Sequence, residues 1–147
     1  MFREENGEEE FLWNETSNLI GELVTEFSDL LQVEAIGYTR EDRPLQVISF
    51  KNVDDDAPAV LFDSLHHARE IATVKMAFAI LLKQLYLIHR GDEKAIELSR
   101  SVQLYVWPVV NPDGFAYIES KENYGNYGDD IVLKRKNTAF TARHCTE

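Results

Sequence analysis

Two residues with the donor atoms of a metal site stand three positions apart in the segment His67-Ala68-Arg69-Glu70. A neutral histidine offers a ring nitrogen and a glutamate offers a carboxylate oxygen. A catalytic zinc ion usually takes three such protein ligands and keeps a fourth position for water. Residues three apart on a turn or at a helix start share one face, so His67 and Glu70 can reach one ion while Arg69 points elsewhere. The segment predicts half of a zinc site, with no third ligand evident beside it.

The same pair is also compatible with a solvated helix start, in which the glutamate only complements the positive end of the helix dipole. Short motifs of this kind often match by chance. The surrounding sequence favours the metal site, because 59–62 has the pattern of a short buried strand and 72–87 is apolar at helical spacing. A ligand pair at that junction follows the carboxyl end of a strand, where open α/β sheets usually bind ligands.

The composition excludes several classes of protein. The chain has 147 residues, 44% of them hydrophobic, which is enough for one domain with a core. Its 15 basic and 26 acidic residues give a net charge of −11, so nucleic acid and anionic membrane are not expected partners. No apolar stretch is expected to reach the ~18 residues of a membrane span. The acidic start of the chain lacks a signal-peptide pattern, and the compartment stays open between cytoplasmic and secreted.

The spacing of apolar residues and turn formers predicts an α/β protein with a mixed parallel and antiparallel sheet flanked by helices. Residues 1–10 form an acidic head that is expected to be disordered, and the folded part begins at residue 11. The predicted elements are a helix over 11–31, a hairpin of strands over 33–38 and 45–50, a strand over 59–63, a helix over 70–89, a short helix or turn over 91–99, a strand over 102–110 and a turn over 111–114.

Four separated segments resemble, in order, motifs of the zinc metallocarboxypeptidases of the carboxypeptidase A/B family. Residues 37–45 resemble the family's early hairpin, although Asp42 stands where glycine is usual. The segment His67-Ala68-Arg69-Glu70 resembles its zinc motif, residues 111–115 its Asn-Pro-Asp-Gly turn, and residues 134–137 its basic segment. The resemblance implies that 11–147 is the N-terminal portion of such a catalytic domain, a partial α/β/α unit.

By this resemblance, His67 and Glu70 are two ligands of one zinc ion, and a third ligand, a histidine, is expected outside this chain. Arg135 corresponds to the residue that polarises the scissile carbonyl and stabilises its developing negative charge. Arg69 and Arg135 both contact the substrate, which is the C-terminus of a peptide or protein. The implied reaction is zinc-dependent hydrolysis of C-terminal residues, with only part of the active site carried here.

Three expectations follow from the missing downstream half of the family's domain. The chain is expected to be a fragment that hydrolyses peptides poorly by itself, and its exposed sheet edges are expected to lower its solubility.

A catalytically inactive protein that binds peptides in the same cleft is the alternative function. An unrelated α/β protein, whose motifs match by coincidence and which binds no zinc, is the other open possibility.

Overall fold

The computed structural model describes residues 3–5, 8–10, 13–51 and 53–119. Strands and helices alternate along the chain, as expected for an α/β protein. The elements are β1 (Arg3–Glu5), β2 (Glu8–Glu10), α1 (Trp13–Glu26), β3 (Leu31–Tyr38), β4 (Pro44–Phe50), β5 (Ala59–Asp63), α2 (Ala72–His89), α3 (Glu93–Ser101), β6 (Gln103–Trp107) and α4 (Pro112–Glu119).

The main sheet has four strands in the order β3-β4-β6-β5. Strands β3 and β4 form an antiparallel hairpin, β4 pairs antiparallel with β6, and β6 pairs parallel with β5. The parallel pair is possible because α2 and α3 form the long crossover between β5 and β6. The predicted mixed sheet flanked by helices is therefore confirmed.

The core lies against one face of this sheet. Residues paired directly across neighbouring strands point to the same face, which places Phe62, Val106 and Ile48 in one row. Val106 and Ile48 are buried and belong to a cluster with apolar residues of α1, α2 and α4. The helical members of that cluster are Ile20, Leu23, Val74, Ala77, Phe78, Leu81, Leu85 and Phe115.

Helix α2 shows that one sequence expectation is wrong. It is 18 residues long and apolar enough for a membrane span by length and composition alone. Its residues Val74, Phe78 and Leu81 are nonetheless at most 2% exposed and pack in the core. Lys75 and Lys83 lie among its exposed positions. This distribution is typical of the core helix of a globular domain, and the absence of a membrane partner stays a prediction.

Two helix predictions differ from the structure. The first helix ends at Glu26, well before the predicted residue 31, because the chain turns there: the N–H groups of Leu30 and Leu31 both donate to the carbonyl of Phe27. Leu31 then enters β3 opposite Phe50. Beyond β6, the predicted turn at 111–114 is the start of a helix, α4.

The acidic head contains two short strands, β1 and β2. Strands β1 and β2 pair antiparallel, with Glu4 opposite Glu9 and Glu5 opposite Glu8. In the sequence, Asn6-Gly7 between these strands is the dipeptide most typical of two-residue hairpins. Like charges directly opposite each other destabilise such a pair, and a lone hairpin is marginally stable in water. Disorder of residues 1–10 in solution stays a prediction.

Strand β5 is an edge of the four-stranded sheet, and all five of its residues are exposed. Leu61 at its centre is 54% exposed. An apolar edge of this kind is a template for pairing with another chain, and a charge placed on it opposes that pairing. We expect Leu61→Lys to reduce self-association of the chain, measured by sedimentation velocity at high protein concentration.

Met76→Lys is the matched control for this prediction. Met76 is 62% exposed on α2, away from any strand edge, and the substitution adds the same charge. The two variants should differ, with only Leu61→Lys shifting the distribution towards monomer. Equal behaviour of the two variants, or a wild-type chain that is wholly monomeric at high concentration, would contradict the edge-pairing explanation.

Candidate metal and substrate site

The parallel strands β5 and β6 end side by side, with Asp63 opposite Trp107. The segments that leave them stay in contact. The N–H of Ser64 donates to the carbonyl of Trp107, and the N–H of Val110 donates to the carbonyl of Ser64, each at 3.0 Å. His67 lies in the first of these segments, so it is held beyond the carboxyl ends of two adjacent strands. Ligand sites of open α/β sheets usually form at such a position.

His67 and Glu70 are joined by one turn that precedes α2. The N–H of Glu70 donates to the carbonyl of His67 at 2.9 Å, and the hydroxyl of Thr73 donates to the carbonyl of Glu70 at 2.7 Å. His67 is half-buried and Glu70 is exposed. A nitrogen donor and a carboxylate donor therefore stand on one accessible turn, and this donor set fits two of the three protein positions of a catalytic zinc site.

Of the two other predicted site residues, Arg69 and Arg135, the structure describes only the first. Arg69 is exposed on the same turn as His67 and Glu70. Arg135 lies outside the described residues. Within residues 13–51 and 53–119, no third histidine, cysteine, aspartate or glutamate joins the pair in a group that could hold a metal ion. The described part of the chain thus carries the two predicted donors on one turn, and their role as zinc ligands stays a prediction.

Backbone strain lies immediately before the half-site. Leu65 has a φ of 55°, in the left-handed region that costs a non-glycine residue about 1–2 kcal/mol. Its side chain is buried, and its N–H donates to the hydroxyl oxygen of Thr73 at 3.0 Å. Such a conformation persists only where the surroundings hold it. The burial of Leu65 and its hydrogen bond to Thr73 of α2 both stabilise this conformation.

The turn after β6 packs directly on the half-site. The side-chain oxygen of Asn111 accepts the N–H of Gly114 at 3.0 Å, and its nitrogen donates to the carbonyl of His66 at 3.3 Å. A Cβ on Gly114 would lie 2.7 Å from Asn111 Nδ2 and 2.9 Å from the Cβ of Ala68. Only glycine fits here, so the two separated motifs are in direct contact through Gly114 and Ala68.

A buried carboxylate fastens the β3–β4 hairpin to this turn. Asp113 is 4% exposed and accepts the hydroxyl of Thr39 at 2.7 Å and Nη1 of Arg43 at 2.8 Å. Arg43 Nη1 also donates to Glu41. Burial lowers the pKa of Arg43, but its hydrogen bonds and charge interactions with Glu41 and Asp113 outweigh burial and raise that pKa. Arg43 is therefore a permanent cation that pins the hairpin to α4.

We expect Asp113→Asn to lower the free energy of unfolding by about 1–2 kcal/mol, because it leaves the guanidinium of Arg43 without its buried anionic partner. The 25% exposure of the Arg43 side chain keeps the loss below that of a fully buried pair. Urea unfolding measures the change. Glu41→Gln is the matched control, since it removes the charge of the other partner of Arg43. The Glu41 side chain is 45% exposed, so this substitution should lower the free energy of unfolding by under about 0.5 kcal/mol. Equal losses in the two variants would contradict the role of burial.

A cavity of about 350 Å³ opens between the hairpin and the turn. Arg40 and His66 line its wall, and Nε2 of His66 lies 3.7 Å from Oδ2 of Asp63. In the sequence, Arg40 lies in the polar turn between two predicted strands and carries no further signal. Its place at the cavity depends on the Asp113 contacts, which join residues about 70 positions apart and leave no local signal.

The chain is similar to known zinc carboxypeptidases. A family profile described as zinc carboxypeptidase matches residues 16–146. A zinc carboxypeptidase of Saccharothrix mutabilis subsp. capreolus is 31% identical over 71% of this chain and 25% of its own length. Carboxypeptidase B of Rattus norvegicus is 28% identical over 90% of this chain and 33% of its own length. The crystal structure of carboxypeptidase A from Helicoverpa armigera superimposes with a TM-score of 0.66 at 27% identity, covering 91% of this chain and 30% of that chain.

These similarities agree with the geometry. The profile extends over nearly the whole described structure, including the His67–Glu70 turn and the Asn111–Gly114 turn. The chain spans a quarter to a third of the length of the two curated relatives. It belongs to the zinc carboxypeptidase family and corresponds to part of the family's catalytic domain.

Proposed function

We propose that this chain supplies part of the active site of a zinc-dependent carboxypeptidase, which hydrolyses C-terminal residues from peptides or proteins. The observation that carries the proposal is the His67–Glu70 turn beyond the ends of two parallel strands, in a chain of this family. The cavity lined by His66, the residue before that turn, supports it, because a peptide C-terminus needs a concave site near the metal.

In this proposal, His67 and Glu70 hold one zinc ion, and the third ligand comes from outside the chain. A bound zinc ion supplies a Lewis acid for the carbonyl and lowers the pKa of a bound water. Glu70 adds negative charge to the site, and His67 binds through its neutral form.

Arg69 and Arg135 are proposed to bind the substrate. A guanidinium offers donors in a planar fork, which suits carbonyl and carboxylate groups better than an ammonium does. Arg69 is exposed on the same turn as His67 and Glu70. The proposed role of Arg135 is to place positive charge at the carbonyl oxygen, where negative charge develops during hydrolysis.

An inactive peptide-binding protein is the second candidate. The half-site favours it, because the described residues bring together two of the three donors that a catalytic zinc site needs. Such a protein would keep the cavity and bind peptide C-termini without turnover. It would need neither the third ligand nor a base for the bound water.

The test measures zinc content, zinc affinity and release of the C-terminal amino acid from a model peptide by the purified chain. Zinc binding without turnover supports a partial active site, and peptide binding without zinc supports the inactive protein. Efficient turnover by this chain alone would contradict the partial-site proposal. A folded chain that binds neither zinc nor peptide would contradict both candidates.

A further inference from the structure

The direction of a side chain depends on the peptide planes on either side of its Cα. The carbonyl of His66 and the N–H of His67 belong to the same rigid peptide unit. A group that fixes the His66 carbonyl therefore fixes the plane from which the His67 side chain leaves the backbone. That carbonyl accepts a hydrogen bond from Nδ2 of Asn111 at 3.3 Å.

The orientation of the Asn111 amide is determined by its other contact. The N–H of Gly114 can only donate, so the side-chain atom 3.0 Å from it must be the oxygen, Oδ1. The amide nitrogen then faces His66 and has a hydrogen to give. Asn111 is 7% exposed, and water has little access to replace either bond.

The backbone at Leu65, which precedes His66, also needs contacts that stabilise its conformation. Leu65 keeps a φ of 55°, although this conformation is unfavourable for a leucine. The hydrogen bond from the N–H of Leu65 to Thr73 connects this segment to α2. The hydrogen bond from Asn111 to the His66 carbonyl connects it to the turn that opens α4. Ala68, which is fully buried, leaves no room for the segment to shift towards Gly114.

We propose that Asn111 is a positioning residue for the metal-binding pair: by holding the His66 carbonyl, it sets the direction of the His67 imidazole. The proposal rests on the proposed function in one respect, the assignment of His67 as a zinc ligand. Asn111 itself touches neither metal nor substrate. Groups that orient a ligand in this way typically change metal affinity by about 10–100-fold when they are lost.

Asn111→Ser tests the proposal in the full chain. Serine is a good helix N-cap, so it can still accept the N–H of Gly114, but it is too short to donate to the His66 carbonyl. We expect the zinc dissociation constant to rise about ten-fold, measured by competition with a chromophoric chelator. We also expect faster amide hydrogen exchange at residues 65–70 of the metal-free protein, with α2 unchanged.

Asp92→Ala is the matched control. Oδ1 of Asp92 accepts the N–H of Ala95 at 3.0 Å and caps α3, so its loss removes a helix cap without touching the metal-binding turn. This variant should lose stability with zinc affinity and exchange at 65–70 unchanged. If Asn111→Ser does not fold, Asn111→Asp replaces it, because aspartate keeps the volume and the acceptor but has no donor.

Wild-type zinc affinity in a folded Asn111 variant would overturn the proposal, whatever the exchange shows. An equal loss of affinity in Asp92→Ala would also overturn it, since general destabilisation would then explain the effect. Should the wild-type chain bind no zinc at all, the proposed function fails by itself. Exchange at 65–70 then decides the positioning role: faster exchange in Asn111→Ser alone supports it, and unchanged exchange overturns it.

Discussion

His67→Ala is expected to abolish specific zinc binding by this chain. The half-site has two donors, and a single carboxylate does not hold zinc against solvent. Glu70→Ala should have the same effect, because the turn then keeps only a nitrogen donor. Zinc titration of the metal-free protein measures the loss, and circular dichroism shows that the variants remain folded. Both residues lie at the surface of the turn that precedes α2, so neither substitution should disturb the core.

His66→Ala is the matched control for this prediction. It removes the same side chain one position earlier, where the imidazole of His66 lines the neighbouring cavity and lies 3.7 Å from Asp63. Zinc affinity should stay at the wild-type value. Loss of binding in His66→Ala with retention in His67→Ala would show that the ligand has been assigned to the wrong histidine. Wild-type zinc affinity in both His66→Ala and His67→Ala would contradict the zinc site of the proposed function.

Strands β3, β4 and β5 were predicted closely, whereas β6 was predicted over 102–110 and spans only Gln103–Trp107. The edge strand β5 has the predicted bounds, Ala59–Asp63, because its apolar run is bordered by Pro58 and by a polar segment. The hairpin of β3 and β4 was predicted to within two residues, since a polar turn separates two β-forming runs. In each case the signal is local, and the sheet pairs the segments that the sequence delimits.

Helix ends were less predictable because tertiary contacts decide them. Leu30 and Leu31 continue the apolar spacing of α1, but the chain turns at Phe27 and the burial of Leu31 is completed in the sheet. Helix α4 was missed because Asn-Pro-Asp-Gly has the composition of a turn. A proline directly after an asparagine cap is also a good helix start, and that signal could have identified α4.

The proposed zinc ligands and the groups that position them had unequal signals in the sequence. His67 and Glu70 are three positions apart, so their proximity follows from local geometry. The bond from Asn111 to the His66 carbonyl joins residues 45 positions apart, and it depends on the parallel pairing of β5 and β6. The motifs could be identified separately, but their direct contact required the fold.

Gly114→Ala tests that contact and is expected to lower the free energy of unfolding by about 2–3 kcal/mol, since overpacking a filled site forces the backbone to move. The added Cβ would meet the amide of Asn111 at 2.7 Å and the Cβ of Ala68 at 2.9 Å. Both neighbours are at most 7% exposed, so neither can swing into solvent. The turn that opens α4 must then separate from the metal-binding segment. Zinc affinity should fall with stability, measured by urea unfolding and zinc titration.

Gly21→Ala is the matched control. It makes the same glycine-to-alanine change, but we expect it to raise the free energy of unfolding. Gly21 lies on the exposed side of α1, and a Cβ there would meet nothing within 4 Å. Alanine is the better helix former by about 0.5–1 kcal/mol, so this variant should be more stable than the wild-type chain and keep its zinc affinity. Both glycines lie within helices, and the difference between the two variants therefore isolates the steric contact from helix propensity. Stabilisation by Gly114→Ala would mean that a Cβ at position 114 has room beside Asn111 and Ala68 in solution, which would contradict the close contact of the two motifs.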